Sequence, residues 1–220
     1  MKMKERAMTI MTWIGRATVV CFMIGLGGRV VVADTARMDP PAPSPYRVLK
    51  EPSTHAPGRV KMEVFEDFYC PHCHHFEATV LPELKREFGP KLEVAAIGFP
   101  IMQDKPRTPF ELYEAARAEG KGAAMAKVLF RVLQDERLDV REAAVATKAL
   151  KEAGLDPRAV SKRLVSGEAK RSLDAGIARA GRYGVRVTPT ALLDGYVLAE
   201  DTTVANLRML IRRLLAGEKF

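Results

Sequence analysis

The chain has 220 residues, 47% of them hydrophobic and 28% charged, with 35 Lys and Arg against 27 Asp and Glu for a net charge of +8. That balance excludes a disordered chain and supplies enough apolar residues for one sizeable core, or a core with a subdomain. Half of the positive surplus sits in residues 1–33, where Lys2, Lys4, Arg6, Arg16 and Arg29 face only Glu5. The rest is scattered and lacks interleaved aromatic residues, which argues against nucleic acid as a partner.

Residues 1–33 combine a basic start, an apolar run from Ala17 to Gly28 and the small-residue stretch Val31-Val32-Ala33. This is the pattern of a secretory signal peptide, with Arg29 as its one irregular feature. The apolar run falls well short of the ~20 residues that a spanning helix needs, so cleavage is favoured over the alternative of a membrane anchor facing the periplasm. A lipoprotein reading of Cys21 is disfavoured by Val20. Removal of the signal takes Cys21 with it and leaves Cys70 and Cys73 in an exported chain. So closely spaced a pair restrains little of the unfolded chain, which points to chemistry rather than stapling.

Residues 34–58 carry Pro40, Pro41, Pro43, Pro45, Pro52 and Pro57 without apolar periodicity, and they predict an extended leader. The folded domain is expected from about Arg59 to residue 216. VKMEVFEDFY predicts a strand running into Cys70. Pro71 suits the first turn of a helix starting at Cys70, with Phe76, Val80, Leu81 and Leu84 on its apolar face and Pro82 as a kink or restart. LEVAAIGFPI, 92–101, predicts a strand buried on both faces. From Thr108 to Arg182 the spacing predicts four or five helices, with Asp139, Asp156 and Ser166 as caps and Met125, Leu129, Phe130 and Leu133 as core. RVTPTALLDGYVLAE predicts a hairpin turning at Asp194-Gly195, and a last amphipathic helix covers about 203–215.

The stretch CPHCHH, residues 70–75, allows three chemistries. C-x-x-C-H is a haem attachment pattern, Cys with His suggests zinc, and C-x-x-C at a strand-to-helix junction suggests thiol–disulfide exchange. Haem attachment through Cys70, Cys73 and His74 predicts a helix-rich cytochrome, whereas apolar strands flank this motif. Zinc needs about four ligands, and the adjacent His74 and His75 diverge on one helix. Exchange needs a thiolate, and a free cysteine with pKa about 8.5 is mostly protonated at neutral pH. At a helix start Cys70 faces unpaired N–H groups and the positive end of the dipole, with His72 as a further donor or charge and Pro71 fixing the turn. A stabilised thiolate favours the reduced pair and so makes the disulfide an oxidant. On this reading Cys70 is the exposed sulfur under attack and Cys73 the buried leaving group.

The order strand, helix, strand, helical block, hairpin, helix, with C-x-x-C at the first strand-to-helix junction, resembles the thioredoxin fold. FEDFYCPHC, GFP at 98–100, GL at 154–155 and GVRVTPT at 184–190 resemble the DsbA family of exported dithiol oxidoreductases, over about residues 59–216. The resemblance implies an α/β thioredoxin fold with an all-helical insertion at about 104–182. It implies a protein-dithiol oxidase of the periplasm that donates a Cys70–Cys73 disulfide to cysteines of folding exported proteins. No cofactor beyond that disulfide and no metal are implied, and a membrane partner of the DsbB type would reoxidise the pair. Thr188 and Pro189 would bind substrate, Pro189 as a cis proline beside the dithiol. Two departures stand out. Val64 occupies the place of a buried acid, with Glu63 on the other strand face and Glu66 on its own, and Thr188 stands where oxidases of the family often have valine. A reductase or isomerase would use the same residues, and a non-catalytic binding module is the alternative of another class.

Overall fold

Backbone pairing requirements explain where the cysteines lie. The protein structure is a computed structural model that describes residues 45–220. The signal-peptide reading of residues 1–33, Cys21 and the first part of the proline-rich segment lie outside them. The described sheet has strands β1 (Arg47–Val48), β2 (Val60–Glu66), β3 (Leu92–Gly98), β4 (Thr190–Leu193) and β5 (Val197–Ala199), in the order β1-β5-β4-β2-β3. β2 runs parallel to β3, from Val60 opposite Leu92 to Glu66 opposite Gly98. A parallel pair needs a crossover, since no tight turn can join it. The crossover consists of α1 (Pro71–His75), a π-helical turn (Phe76–Val80) and α2 (Leu81–Phe88), so Pro82 stands at a helix restart. CPHC opens this crossover at the carboxyl end of β2, the end at which open α/β sheets place their sites.

Two expectations are corrected. The proline-rich segment is not all leader: Arg47 and Val48 pair with Leu198 and Val197, Leu49 N–H donates to Tyr196 O at 2.7 Å, and Thr54 N–H donates to Asp194 O at 2.8 Å. The prolines flank these residues and leave their N–H groups free to add a two-residue edge strand. Also, β3 is an edge strand. Its middle residues are half-buried and Glu93 is exposed, because helices pack on its faces while its outer edge has no neighbouring strand.

The insertion folds as α3 (Thr108–Ala118), α4 (Gly122–Phe130), a π-helical turn (Arg131–Asp135), α5 (Ala143–Glu152), α6 (Pro157–Val165) and α7 (Glu168–Tyr183). Asp156 caps α6 by accepting the Arg158 N–H at 3.0 Å. Asp139 instead closes the turn before α5, and Ser166 ends α6 while Gly167, at φ 71°, starts α7. The hairpin turns where expected, with Asp194 at φ 45° and Gly195 at φ 80° matching the twist of its strands. α8 (Val204–Leu215) closes the fold, with the Thr203 hydroxyl accepting the Asn206 N–H.

Strand alternation divides the core. Val60, Met62 and Val64 pack with Phe76, Leu84, Leu207, Leu210 and Ile211, whereas Phe65 packs with Ile97, Ala180, Leu192 and Leu198 on the opposite face. The insertion has its own core, in which Met125, Leu129 and Phe130 are buried and Leu133 packs against them. Phe68, from the junction between β2 and α1, enters that core and meets Phe110, Tyr113 and Phe130, each at a ring-centroid distance of 5.2 Å. Cys70 and Cys73 belong to the same cluster. Phe68→Ala would remove one fully buried ring from it; a loss of about 3–5 kcal/mol is expected, read from the denaturant midpoint at unchanged slope.

Candidate active site

Cys70 occupies the cap position of α1 and Pro71 its first turn, as the sequence predicts. The first intrahelical bond runs from His74 N–H to Cys70 O at 3.1 Å. Cys73 lies one turn further and is completely buried; Cys70 is 5% exposed. The expectation of an exposed Cys70 sulfur is thus corrected to a narrowly accessible one. The cause is visible across the sheet, where the Thr188 carbonyl oxygen lies 3.4 Å from Cys70 Sγ, a contact that only the protonated thiol could make as a donor; the Thr188-Pro189 bond is cis. Neither cysteine is in a disulfide.

Their environments push the two sulfurs apart in acidity. Cys70 is held down from 9.0 to about 5, first by the Cys73 thiol that donates to it, then by the Thr188 hydroxyl and by the N–H groups of Cys73 and His72, all against the opposing effect of burial. The thiolate gains at most about 5 kcal/mol, less where water screens it. His72 acts here through its backbone, and its side chain is exposed. Burial pushes Cys73 far above the ordinary thiol range, with its bond to Cys70 and the nearby Glu66 charge adding to this. The reduced pair therefore rests as one thiolate and one thiol. The opposing demands follow from depth, since only Cys70 reaches the N–H groups of the first turn.

Two residues that the sequence reading did not single out hold this junction. Asp67 is fully buried, and its carboxylate accepts from the N–H groups of Tyr69, Ile101 and Met102 at 2.8, 2.9 and 3.0 Å, tying the segment before the cysteine to the loop after β3. Its N–H also reaches Cys73 Sγ at 3.4 Å. A carboxylate inside the apolar stretch EVFEDFY was the available signal. Gln134, from the π-helical turn of the insertion, donates one amide to Phe68 O at 2.9 Å and Cys70 O at 3.1 Å. Nothing local in the sequence marks it.

The acids and histidines near the motif separate clearly. Val64 is core, and Glu63 on the other strand face pairs with Arg179 at 3.0 Å. Glu66 is buried on the face of Val64 and neither carboxylate oxygen has a hydrogen-bond partner. The His74 ring stacks on Phe130 at 5.8 Å with Nε2 3.6 Å from Asp135, while His75 pairs with Thr79 at 3.1 Å.

Known proteins place this geometry. The thioredoxin family, Thioredoxin_4, matches residues 54–213. Among solved structures, NmDsbA1 of N. meningitidis aligns at 20% identity and TM-score 0.59, covering 80% of this chain and 94% of its own. Pseudomonas aeruginosa DsbA aligns at 18% identity and TM-score 0.61, covering 79% and 93%. DsbL of Salmonella enterica serovar Typhimurium aligns at 15% identity and TM-score 0.59, covering 81% and 98%. The chain thus has the fold of these proteins, helical insertion included. No curated protein matches its sequence.

Thiolate absorbance should appear with a midpoint near pH 5 and vanish in Cys70→Ser, and Thr188→Val should move the midpoint upward. Because the folded value lies below the unfolded one, the thiolate stabilises the reduced protein fully above about pH 8.5, and this contribution is lost as pH falls through about 5. Gln134→Leu should take the side-chain donor from the Phe68 carbonyl and leave the Cys70 carbonyl with the His74 N–H alone, at a cost of about 1–3 kcal/mol in reversible unfolding.

Proposed function

The chain belongs to the thioredoxin family, and on that footing we propose that it is a thiol:disulfide oxidoreductase working as an exported protein-dithiol oxidase. The observation that carries this is the acidity of Cys70, down to about 5 beside a partner that stays protonated. Whatever stabilises the thiolate stabilises the reduced pair, and so makes the disulfide readier to accept electrons.

In the oxidised protein a substrate thiolate attacks Cys70 Sγ, the Cys70–Cys73 bond breaks, and its electron pair remains on Cys73. A second substrate thiolate then attacks the substrate sulfur of the mixed disulfide. Cys70 leaves as its stabilised thiolate, and the substrate departs as a disulfide. Thr188 and Pro189 flank the attacked sulfur, and an extended substrate would lie against their backbone. The substrates are cysteines of folding exported proteins, reached in the periplasm after removal of residues 1–33. A membrane partner of the DsbB type takes the electrons back. Among the described residues no helix is long and apolar enough to cross a membrane.

Equilibration of the purified Cys70/Cys73 pair against glutathione buffers should give a potential near the −120 mV of a strong oxidant. A value near −270 mV would assign a reductase instead, a separation of roughly 7 kcal/mol at about 1.4 kcal/mol per 30 mV. Cys70→Ser should abolish oxidation of reduced, unfolded protein substrates; retention of function in that variant would favour a binding module.

A further inference from the structure

The Thr188-Pro189 segment is strung between two anchors. Downstream it enters β4, which is fixed by its ladders with β2 and β5, and the Thr190 hydroxyl donates to the Val187 carbonyl at 2.8 Å. Upstream it leaves Gly184, at the carboxyl end of α7, through Val185, Arg186 and Val187, of which only Val185 is buried. The position of that helix end therefore helps decide where the segment meets Cys70, whose Sγ lies 3.4 Å from the Thr188 carbonyl oxygen.

A helix ends on carbonyls that have no partner within it. In α7 the left-handed turn at Gly184, φ 66°, answers two of them: the Gly184 N–H donates to Gly181 O at 3.1 Å and the Val185 N–H to Ala180 O at 2.9 Å. The carbonyls of Tyr183 and Gly184 are met from β1. Arg47 Nη2 lies 3.3 and 3.2 Å from them and 3.2 Å from Glu200 Oε1, so its N–H groups are shared among three acceptors. A cation at this end also complements the helix dipole. The ion pair with Glu200 is exposed on both sides and contributes little by itself, which leaves the helix carbonyls as the partners that matter. The residues around Arg47 grip the same helix end. Leu49 packs on the cluster that contains Tyr183 and Val185, and Glu51 pairs with Arg182 at 3.8 Å, while Arg182 donates to the Tyr183 hydroxyl at 3.0 Å. Arg47 is itself registered on the sheet, opposite Leu198 of β5.

We propose that Arg47 is a positioning residue for substrate recognition: by holding the carboxyl end of α7 against β1 it sets where the Thr188-Pro189 segment stands relative to Cys70, and so how well a substrate peptide fits along that segment. This rests on the exchange chemistry proposed above and adds the residue that prepares its substrate-facing edge. Arg47 acts only through the helix end, since its partners are the Tyr183 and Gly184 carbonyls and Glu200. Without those bonds the last turn of α7 is held by its own N–H groups alone, and the exposed residues Arg186 and Val187 pass its movement on to Thr188. A displacement of about 1 Å is enough to weaken a reaction that depends on alignment. A small dithiol needs no backbone to lie against, so it attacks Cys70 without drawing on this arrangement.

The test compares oxidation of a dithiol peptide with oxidation of dithiothreitol by the oxidised full-length protein. Arg47→Met keeps much of the side chain and removes its donors; KM for the peptide should rise about tenfold with kcat little changed, while the rate with dithiothreitol stays at its wild-type value. Arg47→Lys should recover part of the lost affinity. Glu200→Gln, which removes the ion pair and leaves the helix carbonyls to Arg47, should behave as wild type; the full loss in that variant would place the effect in the ion pair and overturn the inference. An unchanged peptide KM in Arg47→Met would also overturn it, as would an equal loss with both dithiols, which marks a general loss of structure. Backbone amide shifts give a reading without turnover. In Arg47→Met they should move at residues 183–188 and at Cys70, and changes confined to residues 46–48 would again overturn the inference. A wild-type protein that oxidises neither dithiol would overturn the oxidase reading instead, with the amide shifts still testing the hold of Arg47 on the segment.

Discussion

The hydrogen bond from the Cys73 thiol to the Cys70 sulfur is the interaction on which the site depends. It heads the influences that hold Cys70 near 5, and it acts in the opposite sense on Cys73. A thiol can donate to a thiolate only if one sulfur is acidic and the other is not. The fold creates that difference through depth: the cap residue meets backbone N–H groups, and the residue one turn later meets core. Charge separation across a single helical turn thus favours the reduced pair, which is the basis of the oxidase role proposed above.

The rest of the architecture keeps those depths fixed. Asp67 gathers three N–H groups from two segments, and Gln134 spans two carbonyls on either side of Tyr69. Phe68 enters the aromatic cluster of the insertion. The helical subdomain is therefore part of the site rather than an appendage, because it supplies a second donor to the Cys70 carbonyl and apolar packing around the buried Cys73. On the other side, β4 follows the cis Thr188-Pro189 bond and delivers Thr188 to the sulfur from the far end of the chain.

Two π-helical turns, Phe76–Val80 and Arg131–Asp135, flank the dithiol region. One carries Glu77, and the other presents Gln134. Such turns recur at functional sites because they displace a side chain that a regular helix would direct elsewhere. Here one of them helps place a carboxyl at a groove next to the core, and the other turns an amide toward the strand-to-helix junction.

What the sequence determined by itself was local and periodic. Apolar alternation in VKMEVFE, Pro71 at a helix start, Asp194-Gly195 between two strands and the spacing of Met125, Leu129 and Phe130 each have one economical structural solution, and the structure adopts it in each case. Long-range pairing was not legible in this way. The strand status of Arg47–Val48 comes from the free edge of β5, the half-burial of β3 comes from its place at the sheet margin, and Gln134 acquires its partners 64 and 66 residues away. Glu66 shows the division most directly: alternation indicated its strand face, but only packing buried its carboxyl and left it without a hydrogen-bond partner from the protein. Periodicity determines the direction in which a side chain points, whereas tertiary structure determines what surrounds it, and the acidity of a sulfur or a carboxyl depends on those surroundings.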